Sequence, residues 1–323
     1  MLYPLKMNPI YKEVIWGGKR LKEVFGKEIP SCNTGESWEI ACHENGTSLV
    51  ANGELKGKSL KEVIYIYGKN ALGTKIWEEG NNKFPLLVKF IDASDKLSVQ
   101  VHPEDEYARI HEGDFGKTEM WIVLDAKPDA KLVYGVKPKV TKKELEKGIK
   151  EGTLEKLLNF VDVKKGDVFF IPAGTIHAIG AGILIAEIQQ NSDTTYRVYD
   201  WNRVDDKGNS RELHVKKALD VSVLSDVVGK EKLKGRIVKE GKNIRNYLVS
   251  CKYFSTEIIE INTESKESLN GEKFNLLIFI EGEGRITYKG GYVPFKKGDS
   301  FFIPAKMGDY SIVGQSKLIK TYI

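Results

Sequence analysis

Short runs of alternating apolar and polar residues dominate the chain. Ser37–Ala41 and Thr47–Ala51 alternate in this way, and Gly46, Gly53 and Gly57 mark turns around them. Longer alternating runs return from about residue 236 to the end of the sequence. A period of two is typical of strands that bury one face. The pattern therefore predicts a mainly β protein.

Three segments lack this alternation and predict short helices, at about 59–80, 140–160 and 211–229. Ser59 and Glu62 have the spacing of a capping box, and Thr141 and Thr153 are predicted N-caps. Gly152 is predicted to separate two helices in the second segment.

One stretch of the sequence occurs almost twice. Lys164–Ile179 reads KKGDVFFIPAGTIHAI, and Lys296–Ile312 reads KKGDSFFIPAKMGDYSI. A Gly-Asp turn, an aromatic run and a proline predict a turn into a strand that ends at a corner. At a constant offset, His177 aligns with Asp309, so we expect only the first copy to keep a metal-binding side chain.

The length of 323 residues fits two domains better than one core. Together with the repeat it predicts two β-barrels. We expect a catalytic barrel with the helical insertions over 1–235 and a smaller, degenerate barrel without a metal over 236–323.

Composition excludes several classes of protein. The net charge of +5 is spread over a chain with 29% charged residues, and no basic block interleaved with aromatic residues suggests nucleic acid. The N-terminus lacks the apolar core of a signal peptide, and no stretch approaches the ~20 apolar residues of a membrane span. The three cysteines show no metal-binding spacing and fit a reducing compartment. We expect a cytoplasmic protein that binds neither nucleic acid nor membrane, as a monomer or weak homodimer.

Polar residues at alternate positions suggest a metal site. The alternation of Leu97–Pro103 puts Gln100 and His102 on one face, and Glu119 follows on the next predicted strand. Side chains that face a barrel interior converge, so His177 of the repeat is expected to join them. Two imidazoles, a carboxylate and an amide oxygen suit Zn²⁺, and Fe²⁺ or Mn²⁺ also fit by ligand type.

Other polar residues on or near these strands are candidates for contact with an anionic substrate. Arg197, Lys117, Lys89 and Ser98 form this group, and an arginine can grip a phosphate with its planar fork. Lys89 stands alone in an apolar run, which indicates an edge or a cavity position. Glu187 is a candidate for proton transfer or, alternatively, for an internal ion pair with Arg197.

Seven motifs between Leu2 and Arg203 resemble type I phosphomannose isomerase in its short bacterial and archaeal form. They are, in order, WGG, GESWEI, FPLLVKFIDA, LSVQVHPED, GKTEMWIVLDA, PAGTIHAIGAG and EIQQNSDTTYRVYDWNR. The resemblance implies a fold of two cupin-type β-barrels with a few short helices. It also implies a zinc-dependent aldose-ketose isomerase that interconverts mannose 6-phosphate and fructose 6-phosphate.

The resemblance also implies residue roles. It places one zinc ion per chain on Gln100, His102, Glu119 and His177. It puts Ser98, Lys117, Glu187 and Arg197 in the active site. We expect Arg197, Lys117 and Glu187 to be catalytic and Ser98 and Lys89 to contact the sugar phosphate.

Two other functions remain open at this point. A non-catalytic sugar-binding cupin would keep a polar cavity and need no metal. An iron-dependent cupin oxygenase needs two histidines and one carboxylate, but Gln100 as a fourth ligand would occupy a position that dioxygen requires.

Overall fold

The computed structural model describes residues 2–78, 82–204, 208–224 and 232–323. Its strands in the first part of the chain are β1 (Leu5–Asn8), β2 (Ile10–Gly18), β3 (Thr34–Ile40), β4 (Cys42–His43), β5 (Gly46–Thr47), β6 (Leu49–Val50), β7 (Leu86–Ala93), β8 (Val99–Val101), β9 (Glu119–Ala126), β10 (Lys131–Val136), β11 (Leu158–Asp162), β12 (Val168–Ile171), β13 (His177–Ile179), β14 (Ile183–Gln190) and β15 (Tyr196–Tyr199). Those that follow are β16 (Arg236–Glu240), β17 (Asn243–Ser250), β18 (Ser255–Ile261), β19 (Glu264–Glu267), β20 (Asn275–Tyr288), β21 (Gly291–Lys296), β22 (Ser300–Ile303), β23 (Tyr310–Val313) and β24 (Ser316–Tyr322).

The helices are short and lie in the three predicted segments and two others. They are α1 (Arg20–Phe25), α2 (Leu60–Tyr67), α3 (Lys69–Leu72), α4 (Thr74–Glu78), α5 (Asp105–His111), α6 (Lys142–Lys150) and α7 (Val215–Val221), with a 3₁₀ turn at Leu154–Leu157. The mainly β fold class predicted from the sequence is confirmed.

Helix caps follow the local sequence at two of the three predicted positions. Ser59 and Thr141 each form a full capping box with the glutamate three residues later. Thr153 precedes only the 3₁₀ turn and makes no side-chain cap, because the chain enters strand β11 at Leu158. In the third segment the described helix is α7, and part of the predicted span, 225–229, lies outside the described residues.

The first barrel consists of two antiparallel sheets packed face to face. One has the strand order β12-β9-β14-β7-β3-β2, and the other has the order β11-β10-β13-β8-β15. Apolar side chains from both sheets fill the space between them, among them Trp121 and Phe169 from the first and Ile179 from the second. Polar positions of β8, β9 and β13 point into the same interior, and they carry the candidate site.

The second barrel repeats this plan. Its strands run β16-β17-β18-β24-β20-β22, and β20 continues into a second sheet with β21, β23 and β19. The N-terminal strand β1 joins this sheet, because Leu5 and Lys6 pair with Phe302 and Phe301 of β22. The division of the chain at residue 235 stays a prediction.

The repeated sequence forms the same turn in both barrels. Backbone N–H groups of Lys164 and Lys296 donate to the carboxylates of Asp167 and Asp299, each over 2.9 Å. The glycine before each aspartate has φ near +90°, a conformation that side chains rarely adopt. The Gly-Asp pair is therefore a requirement of the turn.

A shared apolar core joins the two barrels. Phe84, which precedes β7, packs against Phe274 and Phe302 of the second barrel with ring centroids 5.3 and 6.0 Å apart.

In the described part of the chain, the longest helices are too short to cross a bilayer.

Candidate metal centre and active site

Three side chains from three strands meet inside the first barrel. His102 follows β8, Glu119 begins β9 and His177 begins β13. Nε2 of His177 lies 3.3 Å from one carboxylate oxygen of Glu119, and Nε2 of His102 lies 3.6 Å from the other. All three side chains are buried. Among the described residues this is the group of histidine and carboxylate side chains that could hold a metal ion.

Gln100 lies beside this group. Strand pairing sets it opposite His177, and its Nε2 is 3.4 Å from Nε2 of that histidine. A half-turn of the terminal amide would exchange Nε2 for Oε1, the atom that binds metals. All four predicted ligands are thus close together.

Backbone carbonyls fix both imidazole rings. Nδ1 of His102 is 2.9 Å from the Thr194 carbonyl oxygen, and Nδ1 of His177 is 2.8 Å from that of Thr175. A proton on Nδ1 donates to each carbonyl, which leaves the Nε2 lone pair free and aimed at the centre.

The facing atoms of the centre lack hydrogen-bond partners within the described chain. They are Nε2 of His102 and both carboxylate oxygens of Glu119, and all are buried. Burial, and then the charge of Glu187, raise the pKa of Glu119 to about 8, and burial lowers the pKa of His177 to about 4. Orphaned buried polar atoms are costly, and a cation would satisfy all of them at once. The residues present therefore fit a divalent metal ion.

Of the other predicted residues, Lys117 borders the centre and Ser98 lies directly before the strand of Gln100. Nζ of Lys117 lies 3.6 Å from Glu119 and is almost fully buried. Ser98 is buried directly before β8, and the period of the strand puts it on the same face as Gln100.

Lys89 lies in a buried ionic triad. Its Nζ is 3.6 Å from the Glu36 carboxylate and 3.5 Å from that of Glu187. Burial alone would lower the pKa of Lys89, but the two carboxylates outweigh it and raise the pKa. β7 is flanked by β3 and β14, so the edge position is wrong, and the cavity position stays a prediction.

The alternative ion pair between Glu187 and Arg197 is wrong, because the partner of Glu187 is Lys89. Lys89 lies near Oε1 of Glu187, and Trp121 Nε1 donates a hydrogen bond to Oε2 over 2.9 Å. Arg197 lies opposite Gln100 on β15, and its guanidinium donates to the Glu212 carbonyl over 2.9 Å. Burial lowers the pKa of Arg197.

Comparisons with known proteins agree with this geometry. Residues 4–120 match the family model described as phosphomannose isomerase type I, catalytic domain, and residues 243–323 match mannose-6-phosphate isomerase, cupin domain. The chain is 44% identical to mannose-6-phosphate isomerase ManA of Bacillus subtilis over 99% of both chains. It is 39% identical to mannose-6-phosphate isomerase of Streptococcus mutans over 100% of this chain and 99% of that one.

A solved structure gives the same result. The crystal structure of mannose 6-phosphate isomerase from Bacillus subtilis matches with a TM-score of 0.90 and 39% identity over 99% of each chain. The chain belongs to the type I phosphomannose isomerase family. The resemblance seen in the sequence motifs is confirmed, and the protein is an isomerase of the cupin class.

Sequence reasoning missed Glu36 of this isomerase. It lies on β3 and completes the triad with Lys89, and Trp38 Nε1 donates to its carboxylate over 2.6 Å. Alternation in Glu36-Ser37-Trp38 puts the carboxylate and the indole on one face, and this was the available signal.

Strand pairing shows what the second barrel of the isomerase has in place of the metal ligands. Tyr310 pairs with Tyr288 and Glu267 as His177 pairs with Tyr134 and Gln100. The alignment of His177 with Asp309 is therefore wrong by one residue, since the second copy has an extra residue after its proline. Asn275 pairs with Ile303 as Glu119 pairs with Ile171.

The ionic triad is also present in the second barrel, with every charge reversed. In register, Arg245 corresponds to Glu36, Glu257 to Lys89 and Lys320 to Glu187. The Glu257 carboxylate lies 2.8 Å from Arg245 and 3.1 Å from Lys320, and Glu267 binds both cations as well. This network balances its own charges.

Proposed function

We propose that the chain interconverts mannose 6-phosphate and fructose 6-phosphate through an enediol, with one zinc ion held by Gln100, His102, Glu119 and His177. The observation that carries the proposal is the set of buried, unpartnered donor atoms that face one another in the first barrel. Its support from relatives is the family to which the chain belongs.

Zinc suits this set of ligands. Two neutral imidazoles and one carboxylate leave a net positive charge on a divalent ion, and zinc accepts such mixed nitrogen and oxygen ligands. Bound there, zinc would act as a Lewis acid toward a substrate oxygen on C1 or C2.

Proton transfer is assigned to Glu187. The reaction removes a proton from C2 of the aldose and returns one to C1, while the carbonyl moves from C1 to C2 and a hydroxyl proton moves from the C2 oxygen to the C1 oxygen. Oε1 of Glu187 has no hydrogen-bond partner among the described residues, and Trp121 and Lys89 fix the carboxylate in place. A carboxylate that is rigid and partly unsatisfied is well prepared to accept a proton.

Lys117 and Arg197 stabilise the negative charge that develops on the enediol oxygens. Lys117 is buried next to Glu119, where a fixed positive charge acts through a medium of low polarity. Arg197 lies one strand from Gln100 and has an unpartnered, buried Nε. Ser98 and Lys89, which come from the two facing sheets of the barrel, are assigned to substrate contact.

Family membership favours the isomerase over a non-catalytic sugar-binding cupin or an iron-dependent oxygenase. We further propose a cytoplasmic location, which fits the three free cysteines. The ligand of the site is a sugar phosphate. We expect a monomer or weak homodimer, which sedimentation analysis would detect.

Elemental analysis and a coupled assay test the proposal together. We expect close to one zinc ion per chain, conversion of mannose 6-phosphate, loss of turnover on chelation and its return with zinc. Reconstitution with iron or manganese serves as the comparison. Full activity of metal-free protein would refute the metal assignment, and a zinc-loaded but inactive protein would support the binding protein instead.

A further inference from the structure

A hydrogen-bonded path leads from the second barrel to the strand that carries Glu119. In the turn between β17 and β18, the Tyr253 hydroxyl donates to Oδ2 of Asp105 over 2.8 Å. Asp105 is the first residue of α5, which follows β8 in the first barrel. The two barrels therefore meet at this carboxylate.

The other oxygen of Asp105 continues the path. Oδ1 accepts from Gln190 Nε2 over 2.8 Å and from the backbone N–H of Gly116 over 3.1 Å. Gln190 is buried, and its Oε1 accepts from the backbone N–H of Thr118 over 2.9 Å. In return, the Thr118 carbonyl accepts from the Gln190 N–H over 3.2 Å. One carboxylate and one amide thus hold both ends of segment 116–118.

The segment that is held in this way carries the proposed chemistry. Lys117 lies in its middle and Glu119 follows it, with 3.6 Å between their charged groups. Gly116 touches Asp105 so closely that a β-carbon would lie 2.5 Å from the Asp105 nitrogen. The backbone therefore cannot shift toward α5, and its position depends on where Asp105 is fixed.

We propose that Tyr253 is a positioning residue for Lys117 and Glu119, acting through Asp105 and Gln190. The proposal rests on the proposed function of those two residues. The second barrel would then act directly on the site, because its tyrosine orients the carboxylate that fixes the ligand-bearing segment. Outer-shell groups of metal centres commonly affect metal affinity or activity by ten- to a hundredfold.

A plain clamp between the barrels is the alternative. It predicts that loss of the hydroxyl lowers stability and leaves zinc affinity and kcat unchanged. If Tyr253 is a positioning residue, loss of its hydroxyl lowers zinc affinity and kcat. A hydrogen bond to a charged acceptor fixes the direction of that group. Small misplacements of reacting groups slow catalysis strongly.

The main test is Tyr253→Phe in the full chain, which removes one oxygen atom. We expect kcat to fall about tenfold with KM within about twofold, and zinc to pass to a competing chelator about tenfold more readily. Urea unfolding of the zinc-loaded protein shows whether stability changes. Chelator competition requires no turnover, so it tests positioning even if the isomerase assignment fails.

Two control variants remove a similar hydroxyl outside the path and a longer, exposed contact to the same Asp105 oxygen that Tyr253 contacts. Tyr107→Phe removes a tyrosine hydroxyl that donates to Asp220 over 3.1 Å, and Lys252→Ala removes an exposed ammonium 3.4 Å from Asp105. Both are expected to keep kcat and zinc retention within about twofold, since exposed pairs contribute little.

A double-mutant cycle with Asp105→Asn decides whether the path is connected. If Tyr253 acts through Asp105, Tyr253→Phe adds almost nothing to the loss of kcat and zinc retention in Asp105→Asn. Additive losses, or normal zinc retention and kcat in Tyr253→Phe, would overturn the proposal. Asp105→Asn alone carries the zinc arm of the test should Tyr253→Phe not fold.

Discussion

Glu187 of the first barrel and Lys320 of the second occupy the same position in their strands, with opposite charge. Each pairs in register with its partner on the neighbouring strand, Lys89 in one barrel and Glu257 in the other. The first barrel carries the candidate metal centre with its unpartnered Glu119 carboxylate, whereas the second gathers two cations and two carboxylates into one network. One framework therefore carries the candidate metal centre in one copy and a buried ionic network in the other.

Lys320→Met should destabilise the protein without affecting catalysis. The ammonium bridges Glu257 and Glu267 and is nearly buried, so its loss leaves two carboxylates dependent on Arg245. Breaking a buried ion pair from one side costs about 3 kcal/mol. Urea unfolding of the zinc-loaded protein measures the loss, and kcat under folded conditions should stay within about twofold.

Lys317→Met is the matched control, three residues earlier on β24. Its partner Glu260 and the lysine itself are partly exposed, so the expected cost is below about 1 kcal/mol. Equal losses in the two variants would show that the buried network has no special role.

His177→Ala and Tyr310→Phe should separate the two barrels by metal content. The first removes a ligand and should abolish most bound zinc and activity. The second changes the corresponding residue of the second barrel, where the hydroxyl accepts from Asn275 Nδ2 over 2.8 Å, and should leave zinc content unchanged. Elemental analysis of both proteins gives the result, and loss of zinc from Tyr310→Phe would contradict the structural role of that barrel.

The sequence predicted which residues meet in the candidate metal centre because its signals are local. Period-two alternation put Gln100 and His102 on one face, and the repeat singled out His177. The sequence could not predict the ionic triads, because the order of the strands in the sheet decides which charged side chains become neighbours. Arg245 and Glu257 look like ordinary solvent-facing residues in the sequence and are buried together in the barrel.

The alignment error at Asp309 has a similar origin. A constant offset assumes loops of equal length, but the second copy has one more residue between its proline and the next strand. A shift of one residue in a strand exchanges the inward and outward faces. Only the pairing of Tyr310 with Tyr288 reveals which residue corresponds to His177.

Asp114→Asn should lower stability near neutral pH and have less effect in acid. Burial would raise the pKa of Asp114, but hydrogen bonds from His43, Phe115 N–H and Ser192 lower it to about 2 from 3.8. As the pH falls, the unfolded chain therefore takes up the proton first. The contribution, about 1 kcal/mol after screening, is complete above about pH 5 and disappears toward pH 2.

Unfolding of both proteins by urea across this pH range checks the prediction, with the exposed Asp162→Asn as control. A constant difference between Asp114→Asn and the parent from pH 7 to pH 2 would contradict it. The carboxylate also accepts from Thr194, whose carbonyl fixes His102, so a modest loss of zinc affinity is expected too.

Arg197→Ala should lower kcat more than it raises KM. The guanidinium lies beside the strand of Gln100, with one donor on the Glu212 carbonyl and a buried Nε left without a partner. A donor that meets charge only in the transition state affects kcat, and losing one costs about 10² or more. Arg197→Lys should restore little, because a point charge cannot reproduce the planar fork.

Steady-state kinetics with mannose 6-phosphate separate the two constants, with the exposed Arg236→Ala as control. Near-normal kcat and KM in a folded Arg197→Ala would assign the arginine a structural role and remove it from the proposed active site.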